Sequence, residues 1–280
     1  MKPNPGTLEW RHGLRMAAVL GLLGLAVFPL YWMLVTSLTP SPALFAARPQ
    51  MTPSLAEAGV YGAAFSNTAV TVWLRNSAIV AFGTAALSLA LAIFPAYALS
   101  RMRFRGWALL GLPLFITQML PEAMLVVPLF TIFGQLGLLN TLTVLILANT
   151  AFTVPVITLI LKGAIDGVPI EVEEAAVIDG CSRLDIVLGV VIPLVGPTLA
   201  AAAVIAFFHG WNEYVFAQTL VSEPALHTAS VGLAGFVGEL STPLHTVMAI
   251  GLMYTLPAVV FYLFVQRYVV SGMTAGSVKG

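Results

Sequence analysis

NSAIVAFGTAALSLALAIFPAYALS, Asn76 to Ser100, contains no charged residue and is long enough to decide the fold. A helix rises about 1.5 Å per residue, so crossing a hydrocarbon core of roughly 30 Å takes about 20 mostly apolar residues. Working outward from this run, five others meet the same requirement: Met16 to Ser37, Trp107 to Phe133, Thr141 to Leu161, Val190 to Gln218 and Thr246 to Val270. Backbone in lipid must satisfy its own hydrogen bonds, and these runs lack the alternation of barrel strands. The expected fold is therefore an all-α integral membrane protein of six transmembrane helices.

The whole chain agrees with that reading. Of 280 residues 59% are hydrophobic and 9% charged, against roughly 45 to 50% apolar and about 25% charged in soluble proteins. Twelve Lys plus Arg balance 12 Asp plus Glu, so nothing in the charge supports binding to nucleic acid. The lone Cys181 excludes an internal disulfide, and His12, His209, His227 and His245 have no metal-ligand spacing. No repeat, linker or low-complexity tract divides the chain, which reads as a single membrane domain over residues 16–280 after a cytoplasmic N-terminus of 1–15.

Basic residues near span ends are retained in the cytoplasm. Lys2, Arg11 and Arg15 precede the first span; Arg101, Arg103 and Arg105 follow the second; Lys162 and Arg183 follow the fourth; Arg267 and Lys279 lie at the end. Only Arg48 and Arg75 fall on the other side, so both termini are expected in the cytosol, with a C-terminal tail over 271–280. The first run is about 22 residues long, where a signal-peptide core has 7 to 15, and reads as a retained span. The outer connections are then Leu38 to Arg75, a turn near Gly134 to Asn140, and Thr219 to His245.

The fourth connection does not belong to a simple bundle. Asp166, Glu171, Glu173, Glu174, Asp179 and Asp185 crowd into it. Pro169 suits a first helical turn, the Glu residues complement the helix dipole, and Gly180 suits a left-handed C-terminal cap, which predicts a short helix from Pro169 to Asp179. Ser182 and Asp185 have capping-box spacing and start the helix leading into the fifth span. Val172, Ala175, Ala176 and Asp179 form a stripe of mostly small side chains. Anionic inner-leaflet lipids repel so acidic a helix, so it reads as a surface for protein docking.

EEAAVIDGCSRLDIVLGVVIPL, Glu173 to Leu194, resembles the cytoplasmic loop of permease subunits in binding-protein-dependent ABC importers. Their pattern is EAA, three residues, Gly, nine residues, then I-x-L-P. Glu174-Ala175-Ala176, Gly180 and Pro193 stand in register, with Val190 for the Ile and Ile192 for the Leu. HGWNEY at His209 to Tyr214, QRYVVSGMTAGSVKG from Gln266, SRMRFRG at Ser100 to Gly106 and LGLLNT from Leu136 resemble the carbohydrate-uptake branch and its maltose-type second permease subunit. The resemblance implies a multi-pass subunit of a bacterial or archaeal inner membrane. Its short cytosolic helix would sit in a cleft of an ATPase subunit and act as the lever of coupling. Glu173, Glu174, Ala175, Ala176, Asp179 and Gly180 would be the coupling residues, with Thr274 to Gly280 as a second contact. Implied partners are a second permease subunit, two ATPase subunits and an external solute-binding protein docked on Ser222 to Leu244.

No phosphate-binding G-x-x-x-x-G-K-[ST] precedes Lys2, Lys162 or Lys279, so ATP and Mg are expected on the partner ATPases and no cofactor on this chain. Hydrolase motifs are likewise missing, and the chain does not read as an enzyme. Within the spans, Glu122 is too costly to face lipid. It reads either as a polar group on a solute path or as a carboxyl bonded near a kink at Pro121 and Pro128. Trp211, Asn212, Glu213 and Tyr214 can stack on and hydrogen-bond a hydroxylated solute; the alternative is an aromatic belt at the outer interface with Glu213 reaching headgroups. Gln118 and Asn149 read as interhelical hydrogen-bonding residues. The expected function is inward transport of a sugar or a related polyol or glycerol phosphate ester. The rival class is an ion-driven secondary carrier, which would need repeats and buried ion-binding carboxylates beyond Glu122 and Glu213.

Overall fold

A computed structural model describes residues 5–48, 50–102, 113–114, 116–238 and 243–275. Arg103, Arg105 and Lys279, the opening of the third apolar run and most of the polar tail lie outside the described residues. Every regular element among the described residues is a helix, with no strand. The main elements are α1 (Pro5–Ser37), α2 (Gly59–Ser66), α3 (Thr68–Arg101), α4 (Glu122–Gln135), α5 (Leu142–Asp166), α6 (Ile170–Ile178), α7 (Gly196–Asn212), α8 (Val215–Leu220), α9 (Ala229–Gly238) and α10 (Leu244–Ala275). Among the described residues four helices are long and apolar enough to cross a membrane, or five if the bent pair Arg183–Leu194 and Gly196–Asn212 is one span. Against the six spans expected, the described residues hold four or five candidate spans and the shorter apolar helix α4.

Two of the expected spans are broken where prolines remove amide donors. The third run is interrupted at Pro121, so Glu122 opens α4 instead of standing mid-helix. An acid in a first turn complements the helix dipole. The fifth run is entered through a π-helical turn, Ile186–Val191, after which the Ile192 amide donates to the Val187 carbonyl. Pro193 and Pro197 then flank an 83° bend between Leu194 and Gly196. The run also ends early: Glu213 is extended, and α8 starts anew beyond it.

The helices group into two compact units, Met1–Asn67 with Phe236–Thr255, and Thr68–Gly235 with Leu256–Gly280. In the first, α1 leaves Leu14, Leu22 and Leu25 exposed, as suits a helix whose solvent is lipid or another apolar surface. Ser37 shares a 2.6 Å hydrogen bond with Tyr61, and Ser41 one of 2.9 Å with His245 Nδ1.

The second unit is built on α3, α5 and α7. Ser88 and Thr153 hydrogen-bond across α3 and α5 at 2.5 Å, and Gly210 lets α7 close onto Ala81 and Thr84 of α3. Small residues at crossings permit this close approach, because packing rather than water expulsion holds membrane helices together. Val144, Leu145 and Phe216 are fully buried beside Val80. Gln118 donates to the Phe152 carbonyl and Asn149 to the Leu145 carbonyl of its own helix.

Candidate functional site

The segment joining α5 to the fifth run follows the local rules read from its sequence, displaced by one residue at each end. Pro169 takes the N-cap position and Asp179 the C-cap, so α6 spans Ile170–Ile178 rather than Pro169 to Asp179. Gly180 has φ +84°, its amide donates to the Val177 carbonyl, and the Cys181 amide donates to the Ala176 carbonyl. That pair of bonds is a Schellman ending, which needs a residue at ease in the left-handed region. Ser182 and Asp185 then form the capping box: the Asp185 amide donates to Ser182 Oγ at 3.3 Å and the Ser182 amide to Asp185 Oδ2 at 3.0 Å.

The six predicted coupling residues separate into two sets. Glu174, Ala175, Asp179 and Gly180 are exposed, alongside the exposed apolar side chains Val177 and Ile178. Glu173 and Ala176 are buried, and Glu173 is only 5% exposed. Its carboxylate accepts from Arg101 Nε at 2.7 Å and from the Tyr97 hydroxyl at 2.9 Å. Arg101 also donates from Nη2 to the Val168 carbonyl at 2.8 Å. Ser100 donates to Asp166 at 2.6 Å, and Lys162 pairs with Asp166 along α5. The last turn of α3 is thereby fastened to the end of α5 and to α6.

Composition and charge counting treat Arg101 only as a basic residue near a span end, and Tyr97 only as part of an apolar run. The signal that could have found them is their spacing of four, which puts both on one face of the last helical turn.

The intramembrane candidates separate as well. Glu122, at the start of α4, lies 3.7 Å from His209 Nε2, and both side chains stay partly exposed. Trp211 is buried and stacks on Phe207 with ring centroids 5.6 Å apart. Glu213 is also buried; its carboxylate accepts from the Phe216 amide at 2.6 Å and the Ala217 amide at 2.9 Å, and so caps α8. It turns inward onto backbone, not outward to headgroups. Asn212 and Tyr214, which alternate with them along the chain, are exposed.

The connection after α8 is held against the rest of its unit by two asparagines. Asn76 is fully buried and donates from Nδ2 to the carbonyls of Ala225 and His227, each at 3.0 Å. Asn140, at φ +56°, accepts at Oδ1 from the Ser222 amide (2.7 Å), the Ser222 hydroxyl (2.9 Å) and the Glu223 amide (3.2 Å). Ser77 accepts from the Ala229 amide at 2.8 Å, and a Cβ at Gly232 would collide with the Trp73 ring. The stretch up to Gly232 is therefore anchored. Residues 239–242 of the expected docking region lie outside the described residues.

Helices long and apolar enough to cross a membrane, with a fastened polar segment between α5 and the fifth run, define a multi-pass membrane protein. Residues 88–275 match the binding-protein-dependent transport system inner membrane component family, and the chain belongs to it. Members are ABC transporter permease subunits, which are not themselves enzymes. The chain is 35% identical over 279 residues to the sulfoquinovosyl glycerol transport system permease protein SmoH of Agrobacterium fabrum, covering 99% of this chain and 98% of the relative. It is 34% identical over 282 residues to the inner membrane ABC transporter permease protein YcjP of Escherichia coli, with both chains fully covered. The trehalose/maltose transport system permease protein MalG of Thermococcus litoralis is 32% identical over 270 residues, 95% of this chain and 97% of that one. A bacterial ABC transporter involved in import of the acidic polysaccharide alginate shares the fold, with a TM-score of 0.82 at 24% identity over 95% of this chain and 99% of that one.

Proposed function

We propose that this chain is one of a pair of permease subunits in an ATP-driven importer for a sugar or similarly polyhydroxylated solute. Relatives named for trehalose, maltose and a glycosylated glycerol support the solute class. In this reading the chain crosses the inner membrane six times, with both termini and α6 in the cytosol. The third crossing includes α4, and the fifth is the bent helix pair.

The observation that carries the proposal is the two-sided character of α6. One side is fixed to the membrane helices through Glu173, while Glu174, Val177, Ile178 and Asp179 are left open. A helix so placed can be moved by a partner and can move the spans in turn. The partners would be two ATPase subunits holding ATP and Mg, a second permease chain, and an external solute-binding protein engaging Ser222 to Leu244. Along the solute path Glu122, Asn212 and Tyr214 present polar groups, while Trp211 and Glu213 hold the bend that displays them. The tail Thr274 to Gly280 would be a further ATPase contact.

Cys181 offers a direct test, being exposed at the end of α6 and the only cysteine in the chain. A membrane-impermeant maleimide should label it in inside-out vesicles containing the permease without ATPase, and not in intact spheroplasts. In the assembled complex Glu174→Lys should release the ATPase subunits while the permease stays inserted. Labelling from outside, or normal ATPase retention in Glu174→Lys, contradicts the proposal.

A further inference from the structure

We propose that Arg101 and Glu173, with Tyr97, form the joint through which movement of α6 reaches the membrane helices. They are positioning residues for coupling and not part of the ATPase-facing surface. The inference rests on reading α6 as the coupling helix and adds the route by which that helix pulls on the spans.

The covalent connections of α6 are poor transmitters. On one side Gly167 to Pro169 joins it to α5, and on the other the left-handed Gly180 turns the chain away. Two such turns leave this nine-residue helix without helical continuity to either neighbour. Something lateral must hold it if it is to act as a lever.

The lateral hold is Glu173. Each carboxylate oxygen has a different donor on α3, Oε1 taking Arg101 Nε and Oε2 taking the Tyr97 hydroxyl. Side chains of the ion pair are 10% and 7% exposed, so water screens it little. Arg101 uses its second nitrogen on the Val168 carbonyl, so one guanidinium grips both α6 and the turn before it. A planar fork with several donors can do this; a lysine offers one point of attachment.

The far end of the joint is a single helix of 34 residues. Along it, Ser88 engages Thr153 of α5, and Ala81 with Thr84 receives Gly210 of α7. A tilt of α6 passed to Arg101 is thus passed to α3, and from α3 to both helices packed on it. Glu174, one residue along, points to the open side, which explains why adjacent glutamates have separate tasks.

The test uses the complete complex in proteoliposomes, with both permease chains, the ATPase pair and the binding protein, and reads solute imported per ATP hydrolysed. Glu173→Gln keeps the shape but strips Arg101 of its carboxylate, and Arg101→Gln combined with Glu173→Gln removes both charges, so that neither is left buried without a counterion. In both, the ATPase subunits should co-purify as in the unmodified complex. The import ratio should fall by roughly fivefold or more, the lower end of ordinary coupling between sites. Arg101→Lys should give an intermediate ratio, since it can still meet Glu173 but cannot also reach Val168.

A merely structural role would lower the yield of complex without changing the ratio per assembled complex. An unchanged ratio in the Glu173→Gln and double variants overturns the inference, as does loss of the ATPase subunits in either. Glu174→Lys measured in parallel separates the two levels. If it too retains the ATPases, the reading of α6 fails; if it releases them while the ratio in the joint variants is unchanged, only the joint is refuted.

Discussion

Replacing Asn76 with alanine should loosen the segment after α8 from the membrane helices. The amide of Asn76 is fully buried and donates to two carbonyls, those of Ala225 and His227, at 3.0 Å each. A buried hydrogen bond contributes about 0.5 to 1.5 kcal/mol net, and an acceptor left without a donor costs about 1 to 3 kcal/mol. Water entering the vacated space offsets part of that second figure. A loss of about 2 to 3 kcal/mol follows for the two bonds together. At tenfold per 1.4 kcal/mol, local opening becomes roughly 30- to 140-fold more frequent.

Hydrogen exchange of the chain in nanodiscs reads this directly. The Ala229 amide, now donating to Ser77, and the Gly232 amide, donating to the Thr228 carbonyl, should lose protection by that factor. Asn76→Asp should be at least as severe, since an oxygen would then face both carbonyls. Exchange within about threefold of the unmodified protein would refute the claim that Asn76 is the anchor.

Gly210→Leu should separate α7 from α3, because even a Cβ at that position lies 3.0 Å from Thr84 Oγ1 and 3.1 Å from the Ala81 Cα. Overpacking of this kind costs about 1 to 3 kcal/mol, seen as a lower unfolding midpoint in nanodiscs; an unchanged midpoint would mean the crossing is slack. Glu213→Ala should cost about 1 kcal/mol through loss of the α8 cap, and Glu213→Gln less, since it keeps one acceptor for the Phe216 or Ala217 amide. Protease sensitivity near Val215 is the measurement, and equal resistance in Glu213→Ala would show that the cap contributes nothing.

Features set by neighbours along the chain were legible in the sequence. Pro169, Gly180, Ser182 and Asp185 act through bonds a few residues long, and the segment they delimit appears within one residue of its expected ends. Apolar length likewise identified four of the expected runs as helices long enough to cross a membrane. Features that depend on distant partners were not legible. Glu173 and Glu174 are chemically identical neighbours, and only the approach of Tyr97 and Arg101 from α3 makes one a buried anchor and the other an exposed contact. The Trp211 to Tyr214 quartet reads as one polar-aromatic cluster, yet the end of α7 at Asn212 directs its members alternately inward and outward. Asn76 and Asn140 stand at the edges of spans with no local sign of their role, because the carbonyls and amides they serve lie more than eighty residues on.

In the proposed function, energy arrives from separate ATPase subunits through α6. Solute uptake into proteoliposomes holding the full complex tests it most directly, with the binding protein and labelled sugar outside and ATP trapped in the lumen. Uptake is expected only when ATP lies on the side that bears Glu174, and it should stop when the ATPases are omitted. Uptake driven by a proton or sodium gradient in vesicles containing the permease chains alone would contradict it.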